Sequence, residues 1–166
     1  MIRFGILTVS DRSAIGARPD ASGPALVEVV ERQGWLVVRQ DILPDERPVL
    51  SDRLAAWADT GDLDVILTTG GTGFSPRDVT PEATQAVTER PAPGLAEAMR
   101  MSSLQITPHA MLSRATAGIR KRTLIINLPG SPKGAVESLQ VVLPVLAHAV
   151  QLLREDPQSE AGHRQI

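Results

Sequence analysis

The chain has 166 residues, enough for one domain with a substantial apolar core. Its net charge is −2, acidic and basic residues are interspersed, and two Trp, two Phe and no Tyr leave few rings, so neither a polyanion-binding face nor base stacking on single-stranded nucleic acid is expected. No cysteine is present, which excludes disulfides, thiolate catalysis and cysteine-ligated metal centres. Met1-Ile2-Arg3-Phe4 reads as the start of a strand, and no apolar run approaches the ~18 residues of a membrane span, so a cytoplasmic protein with no membrane partner is expected.

Phe4 to Val9 predicts a first strand, and Leu26, Val29, Val30 and Gln33 fall at helical spacing ended by Gly34. Leu36 to Leu43 predicts a second strand, followed by a helical stripe of Leu50, Leu54, Trp57 and Ala58 that closes near Gly61. Val65 to Thr69 is a third strand. Ala83 to Val87 and Leu95 to Leu104 read as helices separated by a Pro91-Ala92-Pro93-Gly94 turn. Met111 to Arg122 is compatible with an extra strand or a hairpin, and Leu124-Ile125-Ile126 is another compact strand. The last helix carries Val136, Leu139, Leu143, Leu146, Val150 and Leu153, with Ser131 as cap, Pro132 as first residue, and Pro144 expected to bend it. Short apolar strands alternating with helices predict an α/β sandwich, a mostly parallel sheet covered on both faces. Residues 1–154 are expected to form one domain, and 155–166, rich in polar residues without periodicity, a mobile tail.

In open α/β sheets, ligands bind outside the carboxyl ends of the strands. Four chemically rich loops follow four expected strands: Ser10-Asp11-Arg12, Pro44-Asp45-Glu46, Thr68 to Gly73 with Arg77-Asp78, and Asn127 to Ser131. If the sheet is parallel they converge on one rim. The glycines of Gly70-Gly71-Thr72-Gly73 let backbone N–H groups approach a bulky anion, and Thr80 with Pro81 suits a helix start that favours phosphate. Asp78 would repel a bare phosphate unless a divalent cation bridges the two. Each residue also has a structural reading. Asp11 suits a turn and Asp45 a helix N-cap, which is the better reading of Asp45 alone. Asp78 suits a helix dipole equally well, and Arg77 and Lys133 suit a surface unless an anion binds.

Several phosphate and hydrolase motifs fail. There is no G-x-x-x-x-G-K-[ST], Pro76 falls where a dinucleotide fingerprint has its last small residue, and neither G-x-S-x-G nor H-E-x-x-H occurs. His109, His148 and His163 are too dispersed for a local metal motif; His109 is read as a loop residue without a partner, the other two as solvent-facing.

Thr8-Val9-Ser10-Asp11-Arg12, Asp20-Ala21-Ser22-Gly23-Pro24, Pro44-Asp45-Glu46, Thr69-Gly70-Gly71-Thr72-Gly73, Arg77 to Ala83, Leu112-Ser113-Arg114 and Asn127 to Lys133 together resemble the molybdopterin adenylyltransferases. That family comprises the bacterial MogA type and is similar to the G domain of gephyrin. The resemblance, in order from about Phe4 to Leu153, implies a three-layer molybdopterin-binding-domain-like fold. It implies MgATP-dependent adenylylation of molybdopterin with release of pyrophosphate, for molybdenum cofactor biosynthesis. By the same resemblance Asp45 and Asp78 are the catalytic, Mg²⁺-holding pair, and Gly70, Gly71, Thr72 and Gly73 hold phosphate. Ser10 and Asp11 contact the pterin, Ser113 lies near the pterin or its phosphate, and Asn127, Pro129, Gly130 and Ser131 enclose the nucleotide. A homo-oligomer, usually a trimer, and a molybdenum insertase as partner are also implied. The alternative is a MoaB-type molybdopterin-binding or scaffolding module without adenylyl transfer.

Overall fold

The computed structural model describes residues 1–157. β1 (Arg3–Val9), β3 (Val65–Thr69) and β6 (Thr123–Leu128) are nearly continuous apolar runs buried on both faces. β2 (Leu36–Leu43) alternates exposed and half-buried residues, which suits its place at the sheet edge. With β4 (Arg90–Pro91) and β5 (Ala117–Arg120) they form one sheet of order β2-β1-β3-β6-β5-β4. β2, β1, β3 and β6 run parallel, and β5 and β4 add antiparallel pairs. The stretch from Met111 to Arg122 therefore contains a hairpin: a 3₁₀ turn (Pro108–Leu112) leads through an extended link to β5, and Lys121 at φ 51 turns the chain into β6.

Side chains alternate along each strand, so Val65 and Leu67 join one core while Ile66 joins the other. The first core is closed by α2 (Ser22–Arg32), α5 (Pro93–Leu104) and α6 (Pro132–Leu153), and the second by α3 (Arg47–Asp59) and α4 (Thr80–Val87). These are the three expected layers. α1 (Asp11–Ala14) is a single turn at the end of β1. The expected Pro91–Gly94 turn is tighter than read, since Pro91 still pairs in β4 and Pro93 already opens α5.

Three helix starts test the capping expectations. Ser131 Oγ accepts the N–H of Gly134, with Pro132 as the first helical residue. Thr80 is not a cap: it lies inside α4, and its hydroxyl donates to the Gly70 carbonyl at 2.9 Å. Asp45 does not cap α3, whose N-cap position is Glu46. α6 runs through Pro144, and its length and composition alone would suit a membrane span, although Glu137, Gln140 and His148 interrupt the apolar run. Its Ala135, Leu139, Val142, Leu146 and Val150 are buried against the sheet, as in a core helix. His148 is half-buried on it and engaged, not solvent-facing.

At the amino ends of the strands, Asp64 is buried and accepts from the N–H and Nε of Arg3 and from Arg154, which also donates to the Met1 carbonyl. Burial pushes the Asp64 carboxyl up, but the bonds from Arg3 and Arg154 overrule it and hold it below the usual range. Of the expected tail, Glu155 and Asp156 still bond back to Leu152 and Gln151, and Glu155 pairs with Arg122. Residues 158–166, with His163, lie outside the described residues.

Candidate active site

All four predicted loops meet at the carboxyl rim of β1, β2, β3 and β6. They do not build one pocket. Gly70 and Gly71 line a polar cavity of about 560 Å³ together with Ser10, Asp11, Asp45, Asp78 and Gly130. Thr72 and Gly73 line a neighbouring cavity of about 470 Å³ with Ser113, Asn127 and Pro129, whose walls are largely apolar. The glycine loop is thus the partition, and Ser131 borders both sides.

In the polar cavity, Asp11 and Asp45 clasp each other. Asp45 Oδ2 accepts the Asp11 N–H, and Asp11 Oδ1 accepts the Asp45 N–H, both at 3.0 Å. This reciprocal bond replaces the helix-capping role expected for Asp45. Arg77 reaches across and donates to both Asp11 oxygens, at 2.9 and 2.7 Å, and its guanidinium holds the Asp11 carboxyl below the usual range. Asp45 is shifted the other way: burial pushes its carboxyl up, and the charges of Asp11 and Asp78 add to the effect. Ser10 spends its hydroxyl oxygen on the N–H of Ser13, capping α1.

The glycine loop offers fewer donors than its sequence suggests. The Gly70 N–H is bonded to the Leu128 carbonyl, and the Gly73 N–H to Asp78 Oδ2, which also takes the N–H of Ser75. Among the described residues only the Gly71 and Thr72 amides of the four carry no hydrogen bond. Gly70, at φ +105, is required by the fold, since a Cβ there would lie 2.2 Å from the Val9 carbonyl oxygen. Gly71, at φ +65, is required as well, since a Cβ there would lie 2.4 Å from Thr80 Oγ1 and 2.8 Å from Asp45 Oδ1.

Two carboxylates therefore face this loop, each with one oxygen, Oδ1, that accepts no hydrogen bond among the described residues. No group of three or more His, Cys, Asp or Glu suited to a metal occurs among the described residues. A donor set of two carboxylates fits Mg²⁺, which keeps waters and is held by one or two carboxylates plus substrate phosphates. It does not fit a metal caged by protein alone.

Asn127 departs furthest from its expected role. It lies within β6, fully buried, and its Nδ2 donates to the hydroxyls of Thr68 and Thr84 while Oδ1 accepts the Thr116 N–H. It is a strut between strands with no donor to spare for a ligand. The Pro129 carbonyl accepts from Thr69, tying its loop to β3. Ser113 lies across the partition from Ser10 and Asp11, so the three do not share one pocket.

Asp20, quoted in the motif Asp20 to Pro24 but given no role, and Arg100 also line these cavities. Asp20 accepts from the Thr8 hydroxyl and the Gly23 N–H at the polar cavity. Arg100 in the second cavity donates to the Ala115 carbonyl, and nothing in its helix marks it out. His109 also lines that cavity, with Thr107 as its partner.

The family profile described as "Probable molybdopterin binding domain" matches residues 5–148. The chain belongs to this molybdopterin-binding domain family. A molybdopterin adenylyltransferase from Helicobacter pylori is 44% identical over 92% of this chain and 88% of its own length. The crystal structure of the molybdopterin biosynthesis enzyme MoaB from Thermus thermophilus superposes with TM-score 0.89 at 54% identity, covering 95% of this chain and 99% of that one. A MogA structure gives 0.86 at 42% identity, covering 91% and 99%. The chain spans only 23% of gephyrin from Dictyostelium discoideum and 26% of the molybdenum cofactor synthesis protein cinnamon from Drosophila melanogaster, each 44% identical where matched.

Proposed function

We propose that the chain transfers the adenylyl group of MgATP to molybdopterin, releasing pyrophosphate, in molybdenum cofactor biosynthesis. The observation that carries this reading is the partition: two cavities of different lining share a wall of free amides faced by two carboxylates. Relatives named molybdopterin adenylyltransferase, 41–44% identical over most of the chain, support it.

The adenine suits the apolar-walled cavity, beside Met99 and Leu112, where Lys133 and Arg100 offer positive charge to phosphates. The pterin, a ring edged with hydrogen-bonding groups, suits the polar cavity with Ser10, Asp11 and Asp20. Ser113 then belongs to the nucleotide side. The two ligands' phosphates meet at Gly71 and Thr72. An oxygen of the pterin's terminal phosphate attacks the α-phosphorus, the bond from that phosphorus to the bridging oxygen breaks, and pyrophosphate leaves with the electron pair. The attacking phosphate is already anionic at neutral pH, so the protein supplies position and charge compensation. Mg²⁺, held by Asp45 and Asp78, supplies phosphate-charge neutralisation when bound. The Gly71 and Thr72 N–H groups donate to phosphate oxygens, and Arg77 keeps Asp11 and Asp45 in register.

We further place the protein in the cytoplasm as a homo-oligomer, a trimer by family resemblance, that hands its product to a molybdenum insertase. Incubation of the purified chain with molybdopterin and MgATP is expected to yield adenylylated pterin and pyrophosphate. Tight pterin binding without product would replace this reading with the binding module of MoaB type.

A further inference from the structure

Arg114 plays no part in the reaction just described, yet its main chain and side chain together hold the glycine loop and the Asp78 segment at three points. Its main-chain N–H donates to the Thr72 carbonyl at 2.8 Å, its Nε to the Gly73 carbonyl at 2.7 Å, and its Nη2 to the Asp78 carbonyl at 2.7 Å. Its Nη1 pairs with the Glu82 carboxylate. One residue thus holds both ends of the segment 72–78 from outside. Asp78 Oδ2 holds the same segment from inside, through the N–H groups of Gly73 and Ser75. The aim of the Asp78 carboxylate is fixed by this double closure. A planar guanidinium with a rigid fork of donors can bridge two carbonyls, whereas a lysine ammonium on a flexible stem is a point charge.

The residues on either side of Arg114 in the chain, Ser113 and Ala115, face the second cavity. Ser113, its neighbour in the chain, lines that cavity, and the carbonyl of Ala115 is held by Arg100 Nη1 at 2.6 Å. Asp78 lines the first cavity. The segment 113–115 is therefore fastened on one side to the wall of one cavity and on the other to the carboxylate loop of its neighbour.

We infer that Arg114 is a positioning residue that couples the two cavities: a molecule that shifts Ser113 in one moves, through the guanidinium, the carbonyls of Gly73 and Asp78 and hence the Asp78 carboxylate in the other. The identity of the two ligands rests on the adenylyl-transfer reading; the clamp itself does not. Linkage makes the coupling reciprocal, so occupancy of either cavity alters affinity in the other by the same factor.

Two variants and two measurements test this. Arg114→Met keeps an apolar stem and removes every side-chain donor. Glu82→Gln removes the ion pair and leaves the two carbonyl bonds. Amide exchange in the ligand-free protein needs no assumption about function. With folding checked by circular dichroism, Arg114→Met is expected to speed exchange at Gly73 and Ser75 by about tenfold or more, and Glu82→Gln by less than about threefold. Unchanged exchange in folded Arg114→Met, or Glu82→Gln matching it, overturns the clamp. The second measurement is the affinity for Mg²⁺ with α,β-methylene-ATP, with and without molybdopterin. Wild type is expected to show a change of about fivefold or more and Arg114→Met almost none. Absence of a change in wild type, or its persistence in the variant, overturns the coupling. Failure of wild type to bind either ligand refutes the adenylyl-transfer reading instead, and the exchange result then decides the clamp alone.

Discussion

Asp45→Asn separates a catalytic role from a structural one because the two oxygens of Asp45 have different tasks. Oδ2 accepts the Asp11 N–H, a bond that an asparagine oxygen can keep, so the amide NH₂ lands where Oδ1 faced Gly71. The fold should not suffer. Burial holds the Asp45 carboxyl above its usual range, so the ionised side chain opposes folding. With the folded value above the unfolded one, the penalty is fully present above the folded value and vanishes below the unfolded value of ~3.9. The variant is therefore expected to be at least as stable as wild type in urea at pH 8, with its advantage shrinking as the pH approaches 4. Activity should behave differently, because one of the two carboxylates facing the loop is replaced by a donor. Losing one preorganised electrostatic contact costs about 10²–10³ in rate, or about 2.7–4 kcal/mol. Single-turnover formation of adenylylated pterin, with enzyme in excess over molybdopterin, reads this directly. Product formed within about fivefold of wild type, or a loss of activity matched by more than about 2 kcal/mol of lost stability, would refute the assignment.

Asp78→Asn retains an oxygen for the Gly73 and Ser75 amides and should lose two or more orders of magnitude in turnover, about 2.7 kcal/mol, with pterin binding preserved; Asp78→Ala should also loosen the loop, seen as faster amide exchange at both residues. Arg77→Ala removes an exposed, solvent-screened pair, so only a small loss in urea stability is expected. Because Arg77 depresses the Asp11 carboxyl, that loss should be present at neutral pH and fade as the pH falls through the folded value. Asn127→Ala strands buried partners on β3, α4 and the link before β5 and should cost roughly 2–4 kcal/mol in urea titration, given about 1–3 for each unsatisfied buried group. Asp64→Ala leaves Arg3 and Arg154 without their shared carboxylate, but both guanidinium groups are more than a third exposed and regain water, so the cost should be about 1–3 kcal/mol by the same titration while turnover of the folded fraction is unaffected.

The layers of the fold were legible because each strand is a short apolar run and each helix a stripe, features that need no knowledge of neighbours. So was the convergence of four loops, which follows from a parallel sheet. Partner choice was not. Thr80 carries the signature of a cap, but Gly70, ten residues back in sequence, lies beside it in space, and its carbonyl takes the hydroxyl. Asp45 likewise answers to Asp11, 34 residues away. Asn127 is placed by resemblance in a loop enclosing the nucleotide, with the strand expected to end at Ile126, yet the strand continues through it and three partners close around it. The division into two cavities follows from how the glycine loop bends, which composition does not encode.

The bond from Arg154 to the Met1 carbonyl, at 3.0 Å, bears on more than stability. It brings the first residue of the chain beside the end of its last described helix, at the amino ends of the strands, opposite the rim that carries the two cavities. A polypeptide joined before Met1 would enter on the side away from the two cavities, whatever its length. The unit is therefore suited to being carried as one module of a larger chain without occluding its rim, as befits a family whose matched region makes up about a quarter of the gephyrin and cinnamon chains.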